Sequence, residues 1–236
     1  LINQIGARDK MRYVFYFDCL RILAALAVVV LHVVCAGWNF FKVDTISWQV
    51  INLVESLVRW CVPMFVMISG ALFLNPQRSI SVRDIYLKYC FRIVIIIGLW
   101  MIMAFGAQFT RNLYHDHSLW KSIVVARNMT EYPPGISWYL YMLLGLYTFV
   151  PVLRSISTDK KILLYIMCYS FGINAIIFLG SLIPSSASAW ILQHISQIEL
   201  YRFQGYIGYF CAGMYFNTYI NDKKTLKVIY FLGIIG

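Results

Sequence analysis

Charge is what this chain most lacks. Asp, Glu, Lys and Arg together make up only 13% of its 236 residues, while hydrophobic residues make up 61%. A soluble domain of that length has no interior large enough to hide so much apolar surface, so a bilayer has to serve as the missing solvent. Acids are scarcer still, ten against twenty Lys and Arg, which leaves a net charge of +10. That balance can signal nucleic acid, but the bases gather on no amphipathic face and interleave with no soluble fold, so a nucleic-acid partner is excluded. The six cysteines form no CxxC pair and have no metal-ligand spacing, which leaves them as small apolar packing residues and implies no metal. There is no cleavable signal peptide, because the first apolar run is too long and no small-residue cleavage site follows it. Soluble domains, internal repeats and low-complexity linkers are missing too.

What is present is a series of apolar stretches: roughly 13–36, 48–74, 89–109, 136–156, 162–183 and 201–219. Each is long enough to cross a hydrocarbon core of about 30 Å, which takes about 20 helical residues. A seventh begins near Val228 and stops at Gly236. The chain opens on Leu rather than Met and ends inside an apolar run, so it reads as incomplete, at least at its C-terminal end. The expected fold is all-α: a polytopic transmembrane helical bundle, a single integral-membrane domain over 1–236 with at least six spans. The longest polar stretch is a loop of about 26 residues from Thr110 to Gly135, which Pro133, Pro134 and Gly135 close.

Basic residues alternate by loop. Thirteen of the 20 fall on one side, from Arg8, Lys10 and Arg12 to Lys223, Lys224 and Lys227, against five on the other (Lys42, Arg111, Lys121, Arg127 and Arg202). The positive-inside rule then places the N-terminus in the cytoplasm. Trp38 and Trp48 bracket the first outer loop, and Tyr13, Tyr16, Tyr86 and Tyr89 sit at the inner boundary, where amphipathic rings are favoured. Gly205, Gly208 and Gly213 in the sixth stretch allow helices to approach closely.

Ionisable groups at membrane depth are expensive and mark functional positions. Arg21 and His32 lie eleven residues apart, about 20° beyond three full turns, so they share one helix face about 16 Å apart along the axis. Asp18, three residues before Arg21, joins the stripe. The stripe is expected to face the bundle interior. Two readings stand: a functional acid, base and imidazole along one face, or an interfacial Asp18–Arg21 pair that anchors the helix while His32 bonds within the bundle. In the second span Glu55 and Arg59 are one turn apart, and Pro63 cannot donate to the Arg59 carbonyl, which predicts a kink and a cavity. Glu55 either orients His32 or neutralises Arg59. Lys88 and Arg92, with Arg78 and Arg83 before them, either bind phosphates or only set topology. His115 and His117 form an HxH with no second ligand pair and read as a solvated loop.

The first span, from Phe17-Asp18-Cys19-Leu20-Arg21 to Val30-Leu31-His32, resembles the opening signature of the acyltransferase 3 family of membrane acyltransferases: D-x-x-R followed by R-x10-H. The resemblance continues through Arg59 to Leu74, through Tyr86-Leu87-Lys88-Tyr89-Cys90-Phe91-Arg92, and through Ser137-Trp138-Tyr139-Leu140-Tyr141 with Gly145-Leu146-Tyr147 and Pro151. It implies transfer of an acyl group, most often acetyl, from cytoplasmic acetyl-CoA or another acyl-CoA to a hydroxyl of an envelope or surface glycan or its lipid-linked precursor, in a multi-pass protein of the inner membrane. On that resemblance His32 is the candidate general base, with Asp18, Arg21 and Glu55 as further catalytic candidates. Arg21, Lys88 and Arg92 are candidate contacts for the donor, and Arg59 and Trp138 for the acceptor. Lys88 stands where many members have arginine, which keeps the charge but loses the bidentate fork. A secondary transporter or flippase is the alternative, since embedded charges and a proline-broken span suit it equally, although no inverted repeat is visible.

Overall fold

The computed structural model describes residues 15–38, 40–116, 118–121, 123–124, 138–182, 200–220, 222, 224–225 and 227, with the side chains of 115, 116, 181 and 200–204 outside the description. Among the described residues the regular structure is all helical, with no strand. Two compact units divide it, Leu1–Ser69 and Gly70–Gly236.

In the first unit, α1 (Phe15–Gly37) is apolar nearly all round, as a span must be. Its buried seam is made of small residues: Ala24 and Ala27 lie against Cys61, and Val28, Leu31, Val58 and Val62 close around them. Thr45 starts α2 (Ile46–Val58), its Oγ1 accepting from the Trp48 N–H at 3.3 Å. Trp38 and Trp48, which flank the connection, meet with ring centroids 6.0 Å apart. The helix breaks at Arg59 and Trp60 and resumes as α3 (Cys61–Phe73), with Met64 N–H bonding the Trp60 carbonyl at 3.1 Å. Pro63 is the cause, since it has no N–H for the Arg59 carbonyl, and the interruption falls where the sequence places a kink.

The second unit takes up α3 at Gly70. Beyond Phe73 the chain turns through Asn75-Pro76-Gln77-Arg78, with Arg78 N–H on the Asn75 carbonyl at 3.2 Å. Ser81 and Asp84 then form a reciprocal capping box that opens one α-turn, α4 (Val82–Asp84). The helix widens into a π-turn (Ile85–Cys90), where Phe91 N–H reaches the Tyr86 carbonyl, and continues as α5 (Phe91–Asp116). Helicity therefore runs six residues past Thr110, where the sequence suggests a loop. Neither proline nor glycine interrupts 111–116, and Thr110 turns its hydroxyl back to the Gly106 and Ala107 carbonyls instead of opening the chain.

Helices α6 (Trp138–Ile156), α7 (Lys160–Ser181) and α8 (Leu200–Tyr219) complete the unit. Asp159 caps α7 by accepting from the N–H groups of Lys161 and Ile162. The unit's core gathers Leu146, Val150 and Leu153 of α6, Leu163 of α7 and Phe210 and Met214 of α8. Helices α7 and α8 lie close because Gly205 and Gly208 face Asn174 and Ser170, and Ser170 Oγ donates to the Gly205 carbonyl at 3.3 Å.

Among the described residues five helices are long and apolar enough to cross a membrane: Phe15–Gly37, Ile46–Phe73, Val82–Tyr114, Trp138–Ile156 and Lys160–Gly180. The expected sixth, α8, has the length at 20 residues but carries Arg202, Gln204, Asn217 and five tyrosines, and it falls short in apolarity. The seventh stretch lies outside the described residues.

Candidate functional site

The first group of candidates stands on α1. Arg21 Nη1 donates to Asp18 Oδ1 at 3.0 Å, and the two side chains keep 43% and 32% of their surface exposed. Taking Ala24 as the centre of the buried seam, Arg21 lies about 60° round the helix and His32 about 80°, in the same sense. The expected alignment of Arg21 and His32 is therefore present, but it runs beside the seam and not within it. His32 is exposed, and among the described residues its imidazole makes no hydrogen bond. The expectation that the stripe faces the interior thus fails for His32, because the two alanines, smaller than any polar neighbour, take the close contact with Cys61.

Glu55 is the most buried charged residue described, 5% exposed, and its Oε1 is paired with Arg59 Nη2 one turn on. Of the two roles open to Glu55, the structure adopts neutralisation of Arg59, since a partner on the same helix is held at contact distance at no further ordering cost. The pair still lies within electrostatic reach of Cys35, three residues beyond His32 on α1. Arg59, the C-cap of α2, reaches back one turn to its partner while its own side chain stays 67% exposed.

The second group belongs to the other unit. Lys88 lies in the π-turn and Arg92 in the first turn of α5, and both are exposed. The acid nearest to them in sequence is Asp84, whose Oδ2 is occupied by the Ser81 hydroxyl at 2.6 Å. Among the described residues no carboxylate pairs with Arg83, Lys88 or Arg92. Lys88 Nζ lies 5.9 Å from the centroid of the Tyr89 ring, an additional contact for a cation. The π-turn itself is held on α6: Tyr86 OH donates to the Thr148 carbonyl at 3.2 Å, and Phe73 packs its ring between Tyr89 (4.8 Å) and Tyr147 (4.6 Å). Such turns are rare and recur at functional sites. Periodicity does not reveal this one, because a single inserted residue in an apolar run leaves the run apolar.

Arg154 is one of the thirteen bases on the more basic side, and nothing local in the sequence sets it apart from the others. It is half-buried, with Nη1 on the Phe73 carbonyl at 2.5 Å and the Asn75 carbonyl at 3.3 Å, and Nη2 on the Arg78 carbonyl at 2.7 Å. Trp138, at the start of α6, meets Tyr206 in a tilted contact at 5.8 Å and Tyr139 edge to face at 6.2 Å, and keeps 37% of its surface open.

The described residues contain no cluster of three His, Cys, Asp or Glu able to hold a metal ion. The His115 and His117 side chains lie outside them. Compared with known proteins, the chain matches a family model described as an acyltransferase domain over residues 14–236. No curated protein and no solved structure matches it.

Proposed function

This chain belongs to the acyltransferase 3 family and is a membrane acyltransferase, and from that premise we propose that it moves an acetyl group from cytoplasmic acetyl-CoA to a hydroxyl of an envelope glycan or its lipid-linked precursor. In this reading the N-terminus is cytoplasmic, the protein sits in the inner membrane, and the exposed stripe of α1 carries the reaction. The acceptor hydroxyl oxygen attacks the thioester carbonyl carbon while His32 takes the hydroxyl proton, a role suited to imidazole near neutral pH. The C–S bond then breaks, and coenzyme A leaves as a thiolate that takes up a proton.

The observation that carries the reading is the open imidazole itself. A histidine at membrane depth with no partner among the described residues is costly unless a substrate uses it. Three turns away the Asp18–Arg21 pair keeps the guanidinium oriented, where it meets the donor. Lys88 and Arg92, exposed and in no ion pair among the described residues, supply charge for the donor's phosphates. Arg59 and the open face of Trp138 are left for the acceptor, whose apolar sugar faces suit an aromatic ring. The reaction requires the thioester to travel about 16 Å outward from Arg21, which an extended pantetheine arm spans.

The test is His32→Ala. It is expected to abolish acyl transfer while the protein still inserts and runs as a folded species in detergent. Full transfer in that variant removes His32 as the base.

A further inference from the structure

Among the described residues the Arg154 guanidinium binds three backbone carbonyls and no acid. A C-terminal arginine in a helix ordinarily meets the last carbonyls of its own helix, whereas Arg154 crosses to a segment about 80 residues earlier in the chain. There it caps α3 at Phe73 and grips the turn that follows at Asn75 and Arg78. The Phe73 carbonyl belongs to the last turn of a helix, where intrahelical partners run out, and the Asn75 carbonyl, which already accepts from the Arg78 N–H, takes Arg154 as a second donor. Arg78 assists from within the turn, its Nη1 on the Leu72 carbonyl at 3.4 Å. The gripped segment leads in three residues to the Ser81 cap and within ten to Lys88. Tyr147 and Arg154 lie on one face of α6, two turns apart, so α6 holds the chain leading into Lys88 at two levels: Arg154 fixes the turn, while Thr148 holds the π-turn through Tyr86 and Tyr147 packs on Phe73.

We propose that Arg154 is a positioning residue for the donor site: by clamping the Phe73–Arg78 carbonyls it sets where Lys88 and Arg92 stand against the phosphates of the acyl-CoA. This rests on the assignment of Lys88 and Arg92 to the donor made above. The planar fork spreads donors on two separate nitrogens over carbonyls of three residues. A lysine keeps the charge and the stem but donates from a single point.

Acyl transfer is to be measured with the full-length protein in native membranes, at saturating acceptor and varied acetyl-CoA, for the wild type, Arg154→Ala, Arg154→Lys and the double variant Lys88→Ala/Arg92→Ala. A loosened clamp raises the KM for acetyl-CoA by about tenfold in Arg154→Ala with kcat within a factor of two, one tenfold step being one lost charge-assisted contact's worth of alignment. Arg154→Lys falls between the two, and the double variant raises the KM at least as far. A purely structural Arg154 gives the opposite split: activity per milligram falls with the amount of folded protein while the KM stays put, and the proposal is overturned. If Arg154→Ala is not recovered folded, the KM of Arg154→Lys decides, with an unchanged value overturning it. An unchanged KM in the double variant instead removes the donor assignment of Lys88 and Arg92, a failure that is separate from that of Arg154.

Discussion

Replacing Gly70 with alanine puts a methyl group where the backbones of α3 and α8 meet. A Cβ built on Gly70 falls 1.8 Å from the Phe210 carbonyl oxygen, 2.6 Å from its carbonyl carbon and 3.0 Å from its Cα. All three are backbone atoms in the middle of a helix, and Phe210 is fully buried, so no side chain can swing aside. Ordinary contact begins at 3.4 Å, and the two helices therefore have to part by about 1.5 Å. That separation loosens the packing around Phe210 and Met214. Overpacking of this kind costs about 1–3 kcal/mol, and with backbone on both sides Gly70→Ala belongs near the upper end. For a chain of this size the midpoint of thermal unfolding falls by roughly 5–10 °C. Gly98 is the control, since an added Cβ there meets nothing within 4 Å. Gly98→Ala leaves the midpoint level or raises it slightly, because alanine is the better helix former. Both variants are read by unfolding of the purified protein in one detergent. If Gly70→Ala melts with the wild type, the close approach of α3 to α8 does not exist in the molecule, and the packing described for the second unit is wrong.

Two further perturbations probe the first unit. Arg59→Leu leaves the buried Glu55 carboxylate without its partner and is expected to destabilise by about 3 kcal/mol, whereas Glu55→Leu leaves only the well-exposed Arg59 behind and costs much less; equal effects in a thermal-unfolding assay refute the pairing. Pro63→Ala restores an N–H to the Arg59 carbonyl and joins α2 to α3, so stability is expected to rise while acyl transfer falls; undiminished transfer shows that the break is not used in the reaction.

Which parts of this structure a reader of the sequence can foresee follows from the range of the interactions that make them. The helices are legible because length and apolarity alone decide them. Asp18–Arg21 and Glu55–Arg59 are legible because both pairs sit one turn apart on a single helix, and the break before Pro63 because proline acts within four residues. Sequence could not say that His32 would be exposed, since that depends on which face Cys61 of another helix finds, and the small Ala24 and Ala27 win that contact. Arg154 is a stronger case. Its partners are backbone carbonyls about 80 residues away, and a carbonyl carries no residue identity for a pattern to match. The π-turn at Ile85–Cys90 changes hydrogen-bond register without changing composition. The approach of Gly70 to Phe210 needs both helices placed before the glycine acquires its meaning.

The central claim is that the acyl group of a cytoplasmic thioester ends on a glycan hydroxyl. Membranes containing the protein are to be given acetyl-CoA labelled in its acetyl group, and the glycan and lipid-linked glycan fractions are then counted alongside intact thioester on each side of sealed vesicles. The account predicts label in the glycan fraction, released by mild base as an ester is, with free coenzyme A left on the cytoplasmic side, and neither in membranes carrying His32→Ala. Intact labelled acetyl-CoA crossing the vesicle, with no label on any glycan, contradicts it.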